Sequence, residues 1–137
     1  MSSPIVDAGP LVAYFKRDDL HHQWSREHVG SLHPPLYSCD SVISEACFLL
    51  RRTDSGVDRL MEFVERGIVR LDFAIGSELP AIRKLLRRYR NVPMSLADAC
   101  LVRMSEVLNE PVIITLDRDF TIYRRHGRQV IPLIAPP

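Results

Sequence analysis

The sequence has few cysteines, almost no net charge and no long hydrophobic run. Its three cysteines are widely spaced and form no C-x-x-C pair, which predicts buried, reduced thiols. The 18 basic and 17 acidic side chains leave a net charge of +1, so any site for a polyanion has to be local. Apolar runs such as residues 111–114 are far shorter than the ~20 residues that cross a bilayer, which excludes a membrane span. Because the first residues do not resemble a secretory signal, we expect a cytoplasmic protein.

The composition is typical of a globular protein. Hydrophobic residues make up 46% of the 137 residues and charged residues 26%. At roughly 100–200 residues per domain, this length corresponds to one domain. The chain contains no internal repeat, low-complexity stretch or linker. We therefore expect residues 1–137 to form a single domain.

Short apolar runs alternate with helical patterns along the chain. The strands are predicted at residues 5–6, 36–38, 68–71, 112–115 and 130–133. The helices are predicted at residues 11–15, 20–32, 41–52, 55–66, 77–90, 95–108 and 118–125. This alternation predicts a parallel sheet with helices on both faces. In such folds the functional site lies beyond the carboxyl ends of the strands, where Asp7 and Asp117 are expected.

Two acidic residues lie where the pattern predicts partial burial. Asp7 directly follows the first strand, and it can also cap the next helix. Glu45 has apolar residues three positions before it and one and four positions after it, which places it in or beside the buried stripe of its helix. A buried carboxylate has to be paired, hydrogen-bonded or bound to a metal, so an internal ion pair with an arginine is the alternative for Glu45.

Asp98 and Asp117 belong to two further segments. Asp98 stands three residues after Ser95, a spacing close to a capping box, yet it points away from the polar face of its helix. Asp117 ends the clearest strand, and either it or Asp119 can cap the following turn. Thr115 adds a hydroxyl on the same side as Asp117, by the two-residue period of a strand.

Acidic residues from four segments are thus predicted to meet in one crevice. Such a cluster repels itself unless a cation neutralises it. Carboxylate oxygens are hard ligands that suit Mg²⁺ or Mn²⁺. The combination predicts a divalent metal site more specifically than any one residue does.

These segments together resemble the PIN domain, and especially the VapC-type toxins of toxin–antitoxin pairs. The matching segments are Ile-Val-Asp-Ala-Gly-Pro-Leu at 5–11, Ser-Glu at 44–45, Ser-Leu-Ala-Asp-Ala at 95–99 and Ile-Thr-Leu-Asp-Arg-Asp-Phe at 114–120. The resemblance implies a three-layer α/β fold, with a mostly parallel sheet of about five strands flanked by helices. It assigns catalysis and metal binding to four acids, with Thr115 and Asp119 as possible additions: Asp7, Glu45, Asp98 and Asp117.

The resemblance also implies a function. It implies a Mg²⁺- or Mn²⁺-dependent endoribonuclease that hydrolyses phosphodiester bonds with a metal-activated water. The expected partners are an RNA substrate, a cognate antitoxin and a second copy of the chain. Two alternatives are open at this stage. One is a non-catalytic module that binds RNA or protein and has structural acids, and the other is a phosphotransfer domain.

Arginine accounts for most of the basic residues, and some arginines are expected to contact RNA phosphates. The residues proposed for this contact are Arg87, Arg88, Arg118, Arg124 and Arg125. The alternative for the charged run around residues 83–90 is a solvated helix face, which is the usual role of such a run.

Overall fold

The computed structural model describes residues 2–137. Its helices are α1 Ala8–Phe15, α2 His22–Gly30, α3 Asp40–Leu49, α4 Gly56–Glu65, α5 Leu79–Arg88 and α6 Leu96–Val107. Its strands are β1 Ser3–Val6, β2 Leu36–Tyr37, β3 Val69–Arg70, β4 Pro111–Ile114, β5 Arg124–Arg125, β6 Gln129–Val130 and β7 Leu133–Ile134. Two 3₁₀ turns cover Ile75–Ser77 and Arg118–Thr121. None of the helices between residues 2 and 137 has the length and apolar character needed to cross a membrane.

Five strands form one parallel sheet in the order β3-β2-β1-β4-β7. The central strand β1 pairs with β2 on one side and with β4 on the other, so Ile5 lies opposite both Tyr37 and Ile113. Helix α1 packs on α2, α3 and α4, while α6 packs on α5, β1 and β4. The predicted α/β fold, with a mostly parallel sheet of about five strands flanked by helices, is confirmed.

The two central strands are short, and their apolar side chains are buried beneath the helices. Ile5, Val6, Ile113 and Ile114 are fully buried, as expected for parallel strands that have helices on both faces. Within the sheet, β2 and then β3 lie on one side of β1, whereas β4 lies on its other side. The strand order therefore reverses between β1 and β4, and a crevice opens at the carboxyl ends of these strands.

The last part of the chain differs from the sequence-based prediction. The predicted strand at 130–133 is wrong, because Val130 pairs with Arg124 in the antiparallel hairpin β5–β6 and the parallel strand β7 starts only at Leu133. The turn of this hairpin contains Gly127 at φ 82°, which a glycine adopts without strain. The predicted helix at 118–125 is only a 3₁₀ turn that ends at Thr121.

Candidate active site

Asp7 lies between β1 and α1 and has two structural hydrogen bonds. Its Oδ1 accepts a bond of 2.8 Å from the backbone N–H of Ala8, so Asp7 is the N-cap of α1. Its Oδ2 accepts a bond of 2.7 Å from the Thr115 hydroxyl. The side chain is buried, yet it reaches the crevice between β1 and β4. The capping role and the predicted site role therefore coexist.

Thr115 connects the ends of the two central strands. It is fully buried, and its Oγ1 donates to Asp7 while accepting a bond of 2.9 Å from the backbone N–H of Asp117. Its own N–H bonds the carbonyl of Ile134 in β7 at 3.0 Å. Thr115 thus fixes the Asp7 carboxylate relative to the loop that carries Asp117.

Asp98 occupies the first turn of α6 and completes a capping box. The Ser95 hydroxyl accepts from the Asp98 N–H at 3.0 Å, and Asp98 Oδ2 accepts from the Ser95 N–H at 3.3 Å. The same Oδ2 accepts a bond of 2.9 Å from the Tyr123 hydroxyl. These bonds hold the carboxylate at the crevice, so Asp98 also combines a capping role with a place in the site.

The remaining acids are more exposed. Glu45 on α3 is exposed, so the burial predicted from its helical neighbours is wrong. It forms no ion pair within residues 2–137, which removes the arginine pairing considered for it. Asp117 is exposed and caps the 3₁₀ turn by accepting from the Asp119 N–H at 2.9 Å. Asp119 is half-buried.

All five acids line one cavity with a volume of about 440 Å³, which we call the acidic cavity. Its lining residues are Asp7, Ala8, Gly9, Glu45, Leu49, Pro93, Ser95, Asp98, Leu116, Asp117 and Asp119. Within residues 2–137, no lysine, arginine or histidine is among them. Within residues 2–137, no three side chains of Asp, Glu, His or Cys are placed closely enough to hold an ion together.

The electrostatics of the acidic cavity disfavour negative charge. Burial raises the pKa of Asp7 from 3.8 to about 6, against the hydrogen bonds from Thr115 and Ala8. The charges of Asp98 and Glu45 raise it further. Burial also raises the pKa of Asp98, and the charge of Asp117 adds to this effect. A proton or a cation is therefore favoured in the acidic cavity.

Tyr123 is part of the site, although the sequence analysis did not identify it. The side chain is fully buried, with ring centroids 5.1 Å from Tyr89 and 5.2 Å from Phe120. Burial, together with the nearby Asp98, raises the pKa of Tyr123, so the hydroxyl stays protonated and donates to Asp98. The available signal was the tyrosine six residues after Asp117, because a buried tyrosine hydroxyl usually needs a hydrogen-bond partner.

None of the arginines predicted to contact phosphate lines the acidic cavity. Arg124 donates to three backbone carbonyls at residues 121–123. Arg125 donates twice to the carbonyl of Ser105 in α6, at 3.0 and 2.7 Å. Both guanidinium groups thus stabilise the hairpin region. Arg118 is exposed, as are Arg87 and Arg88 on α5, and contact of these residues with RNA stays a prediction.

The PIN domain family profile matches residues 5–125 of this chain. The match covers β2, β3, β4 and the second half of β1, together with every acid of the cavity. The chain therefore belongs to the PIN domain family. No curated protein matches it significantly. PIN domains are typically nucleases and usually use divalent metal ions, so the chain has a nuclease fold.

Proposed function

We propose that this PIN-domain protein is an endoribonuclease that depends on Mg²⁺ or Mn²⁺. The observation that supports this most strongly is the convergence of five carboxylates on one cavity, with no lysine, arginine or histidine among its described lining residues. Buried Asp7 lies at the point where the strand order reverses, which is the usual location of the functional site in such sheets.

The residues present fit a divalent ion. Carboxylate oxygens are the ligands that Mg²⁺ and Mn²⁺ prefer, and a cation would offset the burial and the mutual repulsion that raise the pKa of Asp7 and Asp98. Asp7, Asp98, Glu45 and Asp117 would hold the ion. Glu45 is exposed, so its side chain is free to rotate towards the two fixed carboxylates, while Asp117 keeps its Oδ2 for the ion as its Oδ1 caps the 3₁₀ turn.

The chain's own residues prepare the acidic cavity for phosphodiester hydrolysis. Thr115 and Ala8 fix both oxygens of Asp7, while Ser95 and Tyr123 fix Oδ2 of Asp98. A divalent ion bound there would supply an acidified water and neutralise charge on the phosphate. No protein nucleophile is required, which agrees with the lack of histidine and cysteine among the described lining residues.

The resemblance to VapC-type toxins extends this proposal to a biological role. In that role the protein is the toxin of a toxin–antitoxin pair, acts in the cytoplasm and forms a homodimer, and an antitoxin inhibits it. The alternative is a non-catalytic module that binds RNA or protein. This alternative is favoured by the lack of a preformed three-ligand group within residues 2–137.

The proposal is tested by incubating the purified protein with a mixed RNA pool in Mg²⁺, in Mn²⁺ and in EDTA, beside Asp7→Asn. Asparagine caps helices as well as aspartate, so the variant should fold, which circular dichroism verifies. We expect cleavage that requires metal and disappears in Asp7→Asn. Equal cleavage in EDTA or by Asp7→Asn would overturn the proposal, and no cleavage by the folded wild type would favour the binding module.

A further inference from the structure

A second and larger cleft lies beside the acidic cavity, at the far ends of α1 and α3. Its volume is about 1010 Å³, and we call it the basic cleft. Its lining residues are Phe15, Lys16, Arg17, Asp18, Leu49, Arg51, Arg52, Thr53, Asp54, Ser55 and Arg59. Five cations thus face two carboxylates. The basic cleft contains none of the arginines that the sequence analysis selected.

The arginines of the basic cleft are not neutralised by partners. Within residues 2–137, none of them forms an ion pair. Arg51 is held in place, because it donates to the Phe48 carbonyl at 2.8 Å and its guanidinium lies 3.9 Å from the centre of the Phe48 ring. Arg17 and Arg52 are exposed and have no hydrogen-bond partner among the described residues. These cations are available to a ligand.

The basic cleft and the acidic cavity share one wall. Leu49 lines both of them. Asp7 and Lys16 flank α1, whose eight residues span ~12 Å at ~1.5 Å per residue. Leu49 is 46% exposed, so the wall that the two sites share is apolar. A flexible polymer a few nucleotides long can therefore contact both sites at once.

A cavity with five acids repels RNA, so the energy that holds an RNA strand has to come from another surface. The geometry points to the basic cleft as the site that binds the phosphate backbone of single-stranded RNA beside the acidic cavity. The exposed Leu49 offers an apolar contact to an unstacked base between the two sites. Arginine suits this role because its planar guanidinium matches phosphate geometry. This inference rests on the proposed function, since it names the path of the same substrate.

The test measures RNA binding without cleavage. Fluorescence anisotropy of a labelled single-stranded RNA of mixed sequence is recorded with Asp7→Asn in EDTA over a range of salt concentrations. Arg17→Gln and Arg52→Gln are then added together. We expect about tenfold weaker binding and a salt dependence reduced by about 1.4 in log–log slope, because each lost phosphate contact on a single strand contributes ~0.7.

The matched control adds Arg66→Gln and Arg70→Gln to Asp7→Asn instead. Both arginines are exposed and lie outside the basic cleft, and each pairs with an exposed acid, Glu62 or Asp72. We expect this control to bind RNA within about twofold of Asp7→Asn alone. An equal loss in the two double-arginine variants would overturn the inference, because net charge alone would explain it.

A second probe separates RNA from an acidic protein segment. If the Arg17→Gln and Arg52→Gln pair weakens binding of labelled polyglutamate but leaves RNA binding unchanged, the inference is wrong and the cleft binds protein. The outcome is independent of the nuclease test. Loss of RNA binding in a protein that never cleaves RNA would contradict the proposed function alone, whereas unchanged binding in a protein that cleaves RNA would contradict the cleft alone.

Discussion

The acidic cavity and the basic cleft are neighbours with opposite charge and opposite construction. In the acidic cavity, Asp7 and Asp98 are fixed by hydrogen bonds from the surrounding backbone, hydroxyl groups and Tyr123. In the basic cleft, Arg17 and Arg52 are exposed and have no partner among the described residues. The comparison shows that a net charge of +1 conceals a strong local separation of charge. The acidic cavity holds its carboxylates in fixed positions, as a chemical reaction requires, whereas electrostatic attraction from exposed side chains is sufficient for the basic cleft to hold a polyanion.

The largest expected effect is the loss of cleavage in Asp98→Asn. Because a bound ion contributes several kcal/mol to transition-state stabilisation, we expect a decrease of at least ~1000-fold in the rate of RNA cleavage in Mg²⁺. The matched control is Glu65→Gln on α4, an exposed acid outside the acidic cavity, which should keep the wild-type rate. Similar rates for Asp98→Asn and Glu65→Gln would mean that the acidic cavity is not the catalytic site.

The next effect concerns the pH dependence of stability without metal. Folding raises the pKa of Asp7 from 3.8 to about 6, so the folded state binds a proton more tightly than the unfolded chain. The free energy of unfolding therefore falls by roughly 3 kcal/mol from Asp7 as the pH rises through this range, and it then levels off. Urea unfolding at several pH values in EDTA measures this decrease, which Asp7→Asn should largely remove. A stability that rises over this range in both proteins would contradict the assignment.

Metal should reverse this loss of stability. A ligand that binds only the folded state adds about 2.7 kcal/mol when its concentration is 100 times its dissociation constant. We expect Mg²⁺ or Mn²⁺ to raise the thermal unfolding temperature of the wild type at neutral pH, but not that of Asp7→Asn. Samples of both proteins in Mg²⁺, in Mn²⁺ and in EDTA are compared by calorimetry. An equal increase in both proteins would place the ion elsewhere.

The smallest effect is expected for Tyr123→Phe. The variant loses the hydrogen bond to Asp98 while it keeps the ring packing against Phe120, so we expect about 1 kcal/mol lower stability and a several-fold slower cleavage. The matched control is Tyr14→Phe, whose hydroxyl has no hydrogen-bond partner among the described residues. If the two variants have the same cleavage rate, Tyr123 has only a packing role.

The sequence predicted those parts of the site that local patterns encode. Asp7 and Asp117 stand at strand ends, and Asp98 stands at a helix start, so their positions follow from the strand and helix patterns. The partial burial predicted for Glu45 was wrong, because helical spacing does not show that the acidic cavity leaves this face of α3 open to solvent. The antiparallel hairpin β5–β6 was missed because its two-residue strands carry too little pattern to recognise.

The basic cleft could not be predicted in the same way. Its cations come from the end of α1, the segment after α3 and the first turns of α4, and only the packing of these helices brings them together. The sequence instead favoured arginines close to Asp117 along the chain, together with Arg87 and Arg88 in the charged run of α5. Arg124 and Arg125 bind backbone carbonyls, because the five N–H donors of a guanidinium also suit carbonyl oxygens.

The most direct test of the two-site arrangement is single-turnover cleavage of one RNA at increasing protein concentration in Mg²⁺. Asp7→Asn should show no cleavage at any concentration, although it binds the RNA. The Arg17→Gln and Arg52→Gln pair should reach the wild-type maximal rate but need about tenfold more protein to do so. Cleavage by Asp7→Asn at the wild-type maximal rate would contradict the assignment of the chemistry to the acidic cavity.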